Sequence, residues 1–213
     1  MNMAKKHIDK KKYFMEIFNA AEKKYGDSAK RLASDDWEYD WQTLVATILS
    51  AQTRDETTIP VSENLFKRYP TLIKLSKAKY DDVLKIISRV NFKNNKAKHV
   101  IGAAKYLVEN FNGKVPDDID ELVKLPGVGR KTANLVLSEV HKKDSITVDT
   151  HVFSISNLLG FTKAKTPTQS EMQLKEYVPR KYWSRINRLF VLWGKDVPRK
   201  TKKKLLDKLN EKS

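Results

Sequence analysis

Between Leu125 and Asp149 the chain reads LPGVGRKTANLVLSEVHKKDSITVD. Its reactive groups are an amine, Lys131, set just after a glycine turn, and a carboxylate, Asp149, at the far end. Pro126, Gly127, Val128 and Gly129 make the turn. Residues without Cβ let the backbone fold back tightly and let a bulky anion approach the main chain. Ala133, Val136, Leu137 and Val140 recur at helical spacing, so a helix begins near Gly129 or Arg130. Open N–H groups at its start, together with its dipole, can hold a phosphate. Lys131 lies in the first turn of that helix, where it projects beside a bound backbone. By abundance alone Lys131 is one of many solvated lysines, and Asp149 is a helix N-cap.

The neighbouring elements must hold these groups in place. Upstream, Pro116, Asp117 and Asp118 predict a helix start, and Ile119, Leu122 and Val123 share one face before Pro126 stops it. The result is two helices joined by a glycine hairpin. Further back, WQTLVATILS from Trp41 to Ser50 is apolar on most sides and predicts a buried helix. Its polar end, Ser50-Ala51-Gln52-Thr53-Arg54-Asp55, faces solvent or a cleft.

The remaining pattern is helical as well. Tyr13, Phe14, Ile17, Phe18 and Ala21 predict an amphipathic helix capped by Gly26. An acidic linker, Ala33 to Asp40, follows. Val61, Leu65 and Phe66 predict a helix after Pro60, and Arg89 to Lys96 a basic loop with one aromatic, Phe92. Val100 to Phe111 is read as a helix ended by Asn112-Gly113. Val152 to Leu159 forms another, stopped by Gly160. Thr168 opens a helix with Glu171 in capping-box position, Pro179 opens the next, and Thr201 to Asn210 makes a last basic helix. No alternating strand pattern and no repeat is visible, so the fold class is all-α.

Composition narrows the partner. With 42 lysines and arginines against 26 aspartates and glutamates, the 213-residue chain carries +16 and a pI near 9.8. That charge suits a polyanion, nucleic acid ahead of an acidic membrane surface. Four scattered histidines predict no metal site, and zero cysteines exclude thiolate ligands. A lysine-rich N-terminus without an apolar run, and no span long enough for a bilayer, predict a soluble intracellular monomer, at the nucleoid when bound to DNA.

LPGVGRKTAN followed by VDTH resembles the helix-hairpin-helix motif and catalytic pair of the endonuclease III family of DNA glycosylases. The resemblance runs from about Trp41 to Trp193. It implies two helical domains flanking a DNA-binding cleft: residues 33–143 as a six-helix barrel with the hairpin, and residues 1–32 with 144–213 as the second domain. By the same resemblance Lys131 is the nucleophile and Asp149 its partner. Gly127, Val128, Gly129 and Arg130 grip the phosphate, and Gln52, in the pattern SAQ-x-x-D, fills the gap left by an extruded nucleotide. Phe92 stands where the family carries an apolar wedge; read from the residues alone it is equally a side chain tucked into the core. Thr150 and His151 are either DNA contacts or helix-start residues.

Two departures stand out. Most relatives carry four cysteines for a [4Fe–4S] cluster near Trp193 to Pro198, where this chain has none, so no iron–sulfur cofactor is expected. Asn91 replaces a usual glycine before Phe92.

The implied activity is base excision repair on duplex DNA holding a damaged base or an abasic site. It joins glycosylase action on damaged pyrimidines to abasic-site lyase action through a lysine Schiff base, with burial in the groove keeping the amine neutral. A mismatch-specific uracil or thymine glycosylase, an 8-oxoguanine glycosylase and a non-catalytic DNA-binding module are the alternatives.

Overall fold

The computed structural model describes residues 9–211, and every ordered element among them is helical. Two units result. One runs from Lys30 to Lys143; the other joins the segment up to Ala29 to the segment from Asp144 onward. The Met1 to Ile8 part of the basic N-terminus lies outside the described residues.

The Lys30–Lys143 unit is built on α2, Asp40–Ser50. Residues Trp41 through Leu49 are all buried, so this helix has no solvent face. Around it stand α3 (Asp55–Arg68), α4 (Leu72–Ser76), α5 (Tyr80–Ile86), α6 (Lys93–Phe111), α7 (Ile119–Leu122) and α8 (Arg130–Glu139). Leu44, Leu49, Leu65, Leu75, Val83, Leu107 and Val136 meet in one core. Helices α3, α6 and α8 pack directly against α2. The unit begins at Lys30, not Ala33, and holds seven helical segments where six were expected, α4 and α7 being short.

Three boundaries differ from the sequence expectation. Helix α3 starts at Asp55 and carries Pro60 inside it; one missing N–H is tolerated because Asp55 and Glu56 favour the positive end of the dipole and Val61, Leu65 and Phe66 are buried beyond. Helix α6 starts at Lys93, two turns before Val100, and shortens the basic loop. Helix α7 starts at Ile119, because the Asp118 carboxylate caps Asp120 and Glu121 at 2.9 and 3.2 Å.

The second unit contains α1 (Lys10–Tyr25), α9 (Thr150–Leu159), α10 (Pro167–Tyr177), α11 (Trp183–Asp196) and α12 (Lys202–Asn210). Phe14, Phe18, Phe161, Phe190 and Trp193 fill its core. The N-cap of α10 is Thr166, which accepts from Gln169 N, so Glu171 forms no capping box. Glu171 is instead buried and pairs with Lys175 at 2.6 Å. At the C-terminal end the Trp193 indole donates to Leu205 O at 3.2 Å, and the Leu205 side chain is fully buried. The basic tail is therefore core as well as charge.

Leu205→Ala is expected to cost about 2–5 kcal/mol through cavity formation, seen as a lower urea midpoint by circular dichroism. A midpoint equal to wild type would contradict a packed tail.

Candidate active site and nucleic-acid interface

The hairpin turn is held from inside the first unit. Val128 N–H donates to Leu125 O at 3.0 Å, and the Val128 side chain is buried. Val128 was expected among the DNA contacts; its N–H and side chain are both committed to the protein, so it anchors the turn. The two glycines differ. Gly127 has φ +80, and a Cβ there would stand 2.7 Å from His99 Cβ, so both conformation and space demand glycine. Gly129 is the N-cap of α8 with φ −97, and a Cβ there would meet nothing within 4 Å. Nothing inside the protein requires Gly129 to be small. An external group that approaches the main chain would.

Arg130 and Lys131 open α8 and are both exposed, while Thr132, Ala133, Val136 and Leu137 bury the opposite face. The Lys131 side chain thus leaves the helix at its positive end into solvent. The buried lysine of this unit is a different one, Lys96.

Asp149 belongs to the second unit. It is half-buried and caps α9, its Oδ1 accepting from Val152 N at 2.8 Å. The approach, Ser145 to Val148, is buried, and Asn187 of α11 donates to Thr147 O at 3.1 Å. One carboxylate oxygen is committed to the cap and the backbone before it is pinned, so the group is held in position. Thr150 is exposed at the first turn of α9. His151 faces the interior instead: a Cβ on Gly194 would lie 2.2 Å from His151 Nδ1. Its ring packs α9 against α11, which leaves it a structural place.

The third group lies at the end of α2. Gln52 sits just past the helix with φ +55, and Phe92, at the N-cap of α6, has φ +57. Left-handed backbone at a non-glycine residue costs on the order of 1–3 kcal/mol, and persists where the surroundings impose it. Phe92 is 62 % exposed, so it is not tucked into the core. Asn91 ties the two loops: its N–H donates to Thr53 Oγ1 at 3.1 Å, and its side-chain amide donates to Gln52 O. The tool is Lys96. Only 4 % exposed, its ammonium donates to Leu49 O at 2.7 Å, Ala51 O at 2.6 Å and Thr53 Oγ1 at 2.9 Å. Burial pushes this amine down to about 8, so at neutral pH it remains protonated and gives all three bonds. Its α-helical phase, four residues before Val100, is the signal that sequence reading passed over.

The pattern of HhH-GPD superfamily base excision DNA repair proteins matches residues 45–180. Endonuclease III of Thermotoga maritima is 43 % identical over 157 residues, 74 % of each chain. Endonuclease III of Synechocystis sp. is 38 % identical over 197 residues, 92 % of this chain and 89 % of that one. The chain belongs to the endonuclease III family. Its fold superposes on a trapped covalent endonuclease III–DNA intermediate with a TM-score of 0.83 at 30 % identity, covering 90 % of each chain. A thermostable thymine-DNA glycosylase, at TM-score 0.75 and 18 % identity, shares the fold.

The donor set does not fit the family's cluster. The chain has no cysteine, and in the stretch from Trp193 to Pro198 the side chains of Trp193 and Val197 are buried. No group of three or more metal-ligating side chains occurs among the described residues. No helix among them is long and apolar enough to cross a membrane.

Gly129→Asp separates grip from fold. Aspartate is among the best N-caps, so thermal stability is expected to be kept or raised. Affinity for duplex DNA should fall about tenfold or more, since the carboxylate occupies the place of a phosphate. Unchanged affinity in a filter-binding or anisotropy titration would remove Gly129 from the interface.

Proposed function

We infer that this protein is a base excision repair DNA glycosylase with abasic-site lyase activity, in which Lys131 is the nucleophile and Asp149 its carboxylate partner. The observation that carries this reading is an exposed lysine in the first turn behind the LPGVG hairpin, in a chain 43 % identical to an endonuclease III. Its likeness to an endonuclease III held covalently on DNA supports an amine that bonds to the sugar.

The chemistry follows from the groups. A nucleotide turned out of the stack costs a few kcal/mol, least for a damaged base. As the glycosidic bond breaks, positive charge grows on the deoxyribose, and a fixed carboxylate such as Asp149 stabilises it. The base leaves with the bonding electrons and takes a proton. Neutral Lys131 Nζ bonds to C1′ and gives up one proton; the C1′–O4′ bond then breaks, O4′ takes a proton to become a hydroxyl, and a protonated Schiff base remains. Loss of a proton from C2′ then expels the 3′ phosphate, and water releases the lysine.

Oxidised or otherwise damaged pyrimidines are the proposed substrates, in duplex DNA bound by a monomer. The +16 charge drives association through counterion release, so affinity should fall steeply with salt. No cofactor is assigned a step.

The test is release of free base and strand scission on duplexes carrying thymine glycol, uracil, 8-oxoguanine or a thymine–guanine mismatch. Wild type is expected to release the damaged pyrimidine and nick the strand. Lys131→Gln should do neither while binding DNA normally, and Asp149→Asn should slow release. Base release without nicking would point to a monofunctional mismatch enzyme, and no release from any duplex to a binding module.

A further inference from the structure

We propose that Lys96, with Asn91, is a positioning residue that locks Gln52 and Phe92 into one preformed two-pronged element, so that recognition of a vacated base site depends on a buried lysine touching no DNA. This rests on reading Gln52 and Phe92 as the groups that enter the duplex. Helix α2 is buried on every side, and its last carbonyls need donors inside the protein. Lys96 supplies them at Leu49 and Ala51, and its third proton reaches Thr53 Oγ1. The same hydroxyl accepts from Asn91 N–H, and the Asn91 side chain holds Gln52 O.

These bonds therefore tie the segment that ends in Gln52 and Thr53 to the segment that carries Asn91, Phe92 and Lys96. Gln52 lies between Ala51 and Thr53, both bound by Lys96; Phe92 lies next to Asn91 and caps the helix that carries Lys96 one turn on. Both prongs hold left-handed backbone that neither side chain prefers. Without the ammonium, both turns can relax, and the prongs lose their fixed separation. Ordering them would then draw on binding free energy at each encounter.

A helix-stapling role alone would lower stability and affect every duplex alike. A positioning role predicts a selective loss. The probes are an undamaged duplex and one with a tetrahydrofuran abasic-site analogue beside 2-aminopurine, so binding and stacking are read without turnover. Lys96→Met keeps the stem and removes the donors, leaving the Leu49 and Ala51 carbonyls without that partner, so its melting temperature is read beside its affinities. It is expected to weaken binding to the abasic-analogue duplex about tenfold and to diminish the 2-aminopurine change, with affinity for the undamaged duplex within about twofold. Thr53→Val, a smaller change at the shared hydroxyl, should shift the same ratio in the same direction. In a background carrying both Gln52→Ala and Phe92→Ala, Lys96→Met should have little further effect on the ratio, because it acts through the two prongs already removed.

Equal losses on both duplexes, additive losses in the background lacking both prongs, or an unchanged ratio in Lys96→Met and Thr53→Val would each overturn the positioning role. If wild type itself fails to prefer the abasic-analogue duplex, the reading of Gln52 and Phe92 falls, and the proposal with it.

Discussion

A helix buried on all sides sets the terms for the first unit. Helix α2 satisfies its own interior hydrogen bonds, but the carbonyl of Leu49 in its last turn is buried and, like that of Ala51 just past it, takes its donor from a side chain. A fixed cation answers that need at some cost in desolvation. Because the cation comes from α6, the end of α2 and the start of α6 cannot move independently. Gln52 and Phe92, each beside one of those ends, inherit that rigidity. The same helix also supports α8, so the hairpin with Lys131 stands on the same core.

The hairpin shows how little of a site need be unusual. Gly127 is dictated by its left-handed conformation and by His99. Gly129 is dictated by neither: it is the N-cap of α8, and a Cβ there would meet nothing within 4 Å. Lys131 is simply the next exposed side chain but one. In the second unit Asp149 is a cap whose helix would be weakened without it, and whose lead-in is buried and pinned by Asn187. Its structural duty and its proposed chemical duty use the same carboxylate, so a variant there must be read with stability measured beside rate.

Much of this was legible in the residues. The all-helical fold, the buried Trp41 to Ser50 helix, the stops at Asn112-Gly113 and Gly160, and the hairpin follow from apolar spacing and punctuation. What was missed has a common cause: local composition outvoted phase. RVNFKNNK, Arg89 to Lys96, reads as a solvated basic loop, yet Lys96 lies on the face continued by Val100 and Ala103, and the helix begins at Lys93. Pro60 suggested a helix start, while the acidic first turn at Asp55 and Glu56 set the real one. Val128 and His151 looked like interface residues through the motif they belong to, but tertiary packing uses both. Exposure of Lys131 and the pinning of Asp149 depend on contacts far apart in sequence, which no local pattern records.

The most direct measurement of the central claim is to reduce the protein with borohydride on duplex DNA holding one abasic site, digest the adduct and locate the sugar remnant by mass spectrometry. The account predicts a single modified peptide with the remnant on Lys131. A remnant on another lysine or on the N-terminal amine, or no adduct at all, would contradict it.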